Sequence, residues 1–102
     1  MPITQIKPNN MIRLNVTLLI EQIENRKPLV EAATELVELS LRDKGCIGYD
    51  IYGSLTSDNR LMIVETWDSK ENLDAHMAAP HFQRLVPQLQ QLSTMTLEEF
   101  TF

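Results

Sequence analysis

The chain has 102 residues, 43% of them hydrophobic, a formal net charge of −5 and a single cysteine. That length makes one domain that buries roughly two-thirds of its unfolded surface, one core with little to spare. The acidic balance argues against nucleic acid or an anionic membrane as partner. No run reaches transmembrane length, and the lone Cys46 cannot close an internal disulfide and suits a reducing, cytoplasmic setting.

Residues 1–10 hold Pro2, Pro8, Asn9 and Asn10 and no apolar stretch of signal-peptide length, so they read as a flexible arm before a domain spanning 11–102. From Met11 to Ile20 the pattern alternates. Ile12, Leu14, Val16, Leu18 and Ile20 face one way and Arg13, Asn15, Thr17 and Leu19 the other, which predicts a strand. Asn15 either stays exposed or locally bonded, or projects into a pocket as a polar handle. Glu21 to Lys27 is a charged connection, after which Pro28 suits the opening turn of a helix. That helix buries Leu29, Ala32, Ala33, Leu36 and Ser40, flanked by Val37 and Leu41, while Glu31, Glu35, Glu38 and Arg42 face water. Glu38 with Arg42 makes a favourable i,i+4 pair, and Lys44-Gly45 closes the helix.

Cys46 to Leu55 predicts a second strand with Ile47, Tyr49 and Ile51 on one face and Cys46, Gly48, Asp50 and Tyr52 on the other. Gly48 marks a bulge or a close approach. The cluster Thr56-Ser57-Asp58-Asn59 turns the chain into a third strand, Leu61 to Val64, which runs on to Glu65 and Trp67. Asp68 with Glu71 reads as a capping box for a helix that carries His76, stops at Pro80 and restarts with His81 and Phe82. Thr94 to Phe102 alternates again, with Thr96, Glu98, Phe100 and Phe102 opposite Met95, Leu97 and Glu99. The order β-α-β-β-α-β predicts an α+β, ferredoxin-like domain, one antiparallel sheet with its helices on one face. Leu18-Leu19 and Leu61 to Val64 put apolar residues on both faces, so a second copy is expected sheet against sheet, as a homodimer.

Three glycines make no phosphate cradle, and no nucleophile elbow is present. The two histidines lack a cysteine or acid at metal spacing and stand five residues apart across Pro80, so no metal is expected. What remains is a pocket between sheet and helices. Trp67 is either a core aromatic or a pocket wall. His76 is either a buried imidazole bonded to backbone or a base able to take a proton from a phenol or an acidic carbon. His81, just after Pro80, reads first as a cap-region or surface group. Glu65 is costly inside a strand unless paired, with Arg13 and Arg84 as the available cations, and both an ion pair and a pocket acid remain open.

The run Glu65-Thr66-Trp67-Asp68-Ser69, followed by Leu73-Asp74-Ala75-His76 and Pro80-His81-Phe82, resembles the antibiotic biosynthesis monooxygenase family, as does Arg42-Asp43-Lys44-Gly45-Cys46-Ile47-Gly48-Tyr49 at the helix exit. The resemblance covers roughly residues 11 to 102. It implies a dimeric α+β barrel that oxygenates a quinol or related small aromatic with O2, without metal, flavin or other cofactor. It also implies His76 as the base, Trp67 as pocket wall and Asn15 as a contact to a substrate oxygen. Tyr49, Glu65 and His81 are further candidate substrate contacts beside these. Haem-degrading relatives are disfavoured, because His76 stands where they carry tryptophan and Val86 where their haem histidine would fall. Two alternatives stay open: a branch that isomerises a small phosphorylated sugar-like ketone, as in autoinducer-2 processing, and a non-catalytic small-molecule-binding dimer.

Overall fold

The computed structural model describes residues 11–102, so the expected arm over 1–10 lies outside the described residues. Among the described residues, eight regular segments follow one another: β1 (Ile12–Leu19), a 3-10 turn (Ile23–Asn25), α1 (Arg26–Ser40), β2 (Cys46–Gly53), β3 (Arg60–Trp67), α2 (Lys70–Met77), α3 (Pro80–Leu92) and β4 (Thr94–Thr101). The strands form one antiparallel sheet in the order β2-β3-β1-β4. This is the ferredoxin-like α+β arrangement that the element order predicts.

Strand alternation decides what meets the helices. Ile12, Leu14, Val16 and Leu18 pair across β1 with Trp67, Glu65, Ile63 and Leu61 of β3, and all eight side chains are buried. The helices lay Leu29, Ala33 and Leu36 of α1 and Leu85 and Leu89 of α3 onto that face, making one continuous core. The odd residues of β1, Asn15 among them, point to the opposite face, where Asn15 pairs with Val64 and Glu98.

Several local expectations shift by a residue or more. Ser69, not Asp68, caps α2: it is extended, and its Oγ accepts from the Asn72 N–H at 3.2 Å. The Asp68 carboxylate accepts instead from the Asn72 side-chain amide at 2.8 Å. The ladder slips between Cys46 and Gly48, so the bulge expected at Gly48 is there, and it turns Ile47 outward to 55% exposure while Cys46 pairs with the buried Trp67. Leu41 follows the end of α1 and is half exposed rather than packed. The helix ends at Ser40, ahead of Gly45, and Glu35 forms the ion pair there, to Arg84 at 2.7 Å, in place of the anticipated Glu38–Arg42 pair.

Gly45 is the backbone pivot of the α1–β2 loop. Its φ of +82° is the left-handed region, and a Cβ there would collide with the Asn72 side chain and the Asp68 carboxylate. Its carbonyl accepts from the Asp68 N–H at 2.9 Å, tying the loop to the start of α2. Gly45→Ala is therefore expected to cost about 2 kcal/mol or more in urea unfolding, from backbone strain and the clash together. A loss below about 0.5 kcal/mol would mean that the loop relaxes freely.

Candidate active site

A cavity of about 290 Å³ opens between the sheet and the helices. Leu14, Val16 and Ile63 form its floor, Leu36, Met77, Phe82, Val86 and Leu89 its helical side, and Met95 and Leu97 its rim on β4. The polar groups that reach it include His76, Glu65, Tyr49 and Gln90. A mostly apolar cavity with a few convergent polar groups is what a small-molecule site needs.

His76 projects from α2 and is 2% exposed. Rings hold it on three sides: Trp67 at 4.5 Å between centroids, Phe82 at 5.2 Å and Tyr49 at 5.5 Å. Its Nδ1 lies 2.7 Å from Oδ2 of Asp43, in the loop after α1. Nε2 of His81, in the first turn of α3, lies 2.8 Å from the same oxygen. Burial lowers the pKa of His76, against the pull of Asp43, and favours the neutral ring. A carboxylate can only accept, so neutral His76 carries its proton on Nδ1 and presents a lone pair at Nε2. That Nε2 is buried and has no hydrogen-bond partner. Asp43 thus fixes the tautomer that leaves a free lone pair on Nε2 of this cavity-lining residue.

Glu65 stands beside Tyr49 across the β2–β3 ladder and is 5% exposed. Neither Arg13 nor Arg84 reaches it: Arg13 Nε donates to Thr66 on the far face and Arg84 pairs with Glu35. The Trp67 indole N–H donates to Glu65 Oε1 at 2.8 Å. Burial raises the Glu65 carboxyl to about 7, with the Trp67 and Tyr49 hydrogens pulling it back part of the way. The same burial, reinforced by Glu65, pushes the Tyr49 hydroxyl well above the ordinary phenol range, so it stays protonated. The ion-pair reading of Glu65 gives way to the pocket-acid one.

Three of the expected contacts fall elsewhere. Asn15 cannot enter the cavity, because strand alternation places it on the opposite face, where its Oδ1 is buried without a partner. Trp67 is fully buried and is not part of the cavity wall; it backs His76 and Glu65 from behind. His81 faces Asp43 rather than the cavity. Asp43, which the sequence left without a role, joins both histidines.

The profile of the antibiotic biosynthesis monooxygenase family matches residues 11–88. The chain belongs to this family. A conserved protein of unknown function from Bacteroides thetaiotaomicron is 45% identical with a TM-score of 0.88, over 92% of this chain and 99% of that one. SnoaB of Streptomyces nogalater, a cofactor-independent oxygenase, shares the fold at a TM-score of 0.82 and 15% identity, over 91% of this chain and 93% of that one. YcnE of Bacillus subtilis (strain 168), itself only provisionally assigned as a monooxygenase, is 25% identical over 75 residues, 74% of this chain and 79% of that protein. Among the described residues of this family member, no helix is long and apolar enough to cross a membrane.

The raised Glu65 carboxyl has a consequence for stability. Its folded pKa of about 7 exceeds its ordinary 4.5, so between these values the native state binds the proton that the unfolded state has released. Its contribution is fully present below about 4.5 and is lost as pH rises to about 7, a total of about 3 kcal/mol. The stability gain of Glu65→Gln over wild type is expected to grow across that window and level off above it. Parallel pH profiles of the two proteins in urea unfolding would show Glu65 ionising as freely as in water.

Proposed function

We propose that the protein is a cofactor-independent monooxygenase that oxidises a hydroquinone or related electron-rich phenol with O2. The observation that carries this reading is His76 Nε2, an unpartnered lone pair held in the Asp43-fixed tautomer on a residue lining an apolar cavity. His76 takes the proton of a substrate hydroxyl, and the apolar walls leave the resulting anion poorly solvated and electron-rich. A ring carbon of that anion bonds to O2 to give a hydroperoxide. Loss of the proton on that carbon then breaks the O–O bond and releases water. Hydroquinone plus O2 becomes hydroxyquinone plus water, and the substrate supplies every electron. Neutral Tyr49 and protonated Glu65 are the hydrogen-bond donors available to the developing oxygen charge.

The test is oxygen uptake by chelator-treated protein across a panel of hydroquinones, with product identified by mass. Substrate-dependent uptake of one O2 per quinol supports the reading, and no uptake with any quinol defeats it. The pairing of base His76 with acid Glu65 on one cavity also suits proton shuttling in a small ketone. Turnover of a sugar-phosphate ketone under nitrogen would favour that isomerase reading.

A homodimer belongs to the same proposal. The sheet face away from the helices carries Tyr52, Met62, Val64, Leu19, Phe100 and Phe102, of which Tyr52, Phe100 and Phe102 are exposed. Pairing two such faces would bury them and form the dimeric α+β barrel. Light scattering is expected to give twice the chain mass, and a monomer at micromolar concentration would contradict it. One cysteine, half-buried and with its thiol pushed up to about 11 mainly by burial, fits the cytoplasmic setting.

A further inference from the structure

Sequence spacing counts against a metal site, yet the fold brings two imidazoles and a carboxylate to one point from three separate elements. We propose that Asp43, His76 and His81 form a binding site for a divalent ion of the zinc type, and that its occupancy switches off the cavity base.

The ligating atoms, Asp43 Oδ2, His76 Nδ1 and His81 Nε2, lie within 4.8 Å of one another. Two histidine nitrogens and one carboxylate oxygen are a common zinc donor set, and a fourth position is left for water. Around a tetrahedral ion the donors stand about 3.3 Å apart, given bonds of about 2.0–2.1 Å. The present separations of 2.7 and 2.8 Å would have to widen by about half an ångström. The side chains able to move that far are the ones at the rim: Asp43 is 20% exposed and His81 16%, so an ion reaches them from solvent. His76, at 1%, is the fixed member. The loop bearing Asp43 is anchored by bonds from its N–H to Ser40 and from Cys46 to its carbonyl, so the backbone is already in place.

Binding must change the tautomer of His76. An ion on Nδ1 displaces the proton there, and the neutral ring then carries its proton on Nε2. His76 loses its free lone pair at Nε2 and gains an N–H donor there. Metal occupancy and base function are therefore mutually exclusive. This second clause rests on the base reading of the preceding section; the binding clause does not.

The two clauses are tested separately. Protein stripped with chelator is titrated with Co2+, whose visible absorption reports a tetrahedral nitrogen and oxygen field without any substrate. One saturable equivalent, displaced by Zn2+, is expected, with affinity at least about tenfold weaker in Asp43→Asn, His81→Ala and His81→Gln and unchanged in Cys46→Ser. Circular dichroism checks that each variant is folded, and the His81 variants carry the test if Asp43→Asn is not. Absence of a saturable band in wild type, a band unaltered in both folded His81 variants, or its loss in Cys46→Ser would overturn the site. If Zn2+ saturates the site and quinol-dependent oxygen uptake falls in step, the switch stands. If uptake stays constant at full occupancy, the switch is wrong and the site remains.

Discussion

His76→Ala is expected to lower kcat for oxygen-dependent quinol turnover by about 10²–10⁴-fold, the usual worth of a positioned general base. The imidazole is buried among three aromatic rings, so its removal also leaves a void. His76→Gln serves as the second variant, since it retains more of the volume and offers no base. Both should lose turnover while the quinol still binds, which separates chemistry from packing. Asp43→Asn should lose less, because an amide can present either a donor or an acceptor to Nδ1 and no longer enforces one tautomer. The pH profile carries an independent signature. Burial lowers the His76 pKa, so kcat should rise with pH through a value below the ordinary 6.5 and then level off. Turnover by His76→Ala equal to wild type at saturating quinol would remove the base from the mechanism.

Most of the sheet was legible because strand alternation is a local signal: Ile12, Leu14, Val16 and Leu18 announce their face by spacing alone. Asn15 lies out of phase with those residues, and of its two open readings the pocket handle is the one this alternation rules out. The resemblance to the monooxygenase family implied a substrate contact there, and strand geometry decides against it. Asp43 was not legible. It sits beside a loop glycine, 33 residues from His76 and 38 from His81, and no periodicity links three groups that meet only when α1, α2 and α3 pack. The five-residue gap between the histidines suggested separation. The break at Pro80 instead starts α3 in a new direction and returns His81 to the same carboxylate. The partner of Glu65 was hidden for a different reason. Charge logic looks for a cation, whereas the group answers its burial by holding its proton and accepting from an indole only two residues away.

That indole carries the largest expected effect on stability. Trp67→Ala should cost about 3–5 kcal/mol, because a fully buried Trp at the end of β3 leaves both a cavity and an unpartnered Glu65 oxygen. Trp67→Phe separates the two contributions. Phenylalanine keeps much of the packing against His76 and Tyr49 but removes the N–H that donates to Glu65. Its cost in urea unfolding should be about 1–3 kcal/mol at neutral pH and should shrink as pH falls, since a protonated Glu65 depends less on the donor. Combining Trp67→Phe with Glu65→Gln measures the coupling directly: the pair should be less than additive, by an amount that grows as pH rises through about 7. Strict additivity at every pH would mean that Trp67 acts by volume alone. The indole N–H would then do nothing to hold the Glu65 carboxyl down against its burial, and the link between the aromatic side chain behind the cavity and the acid inside it would be gone.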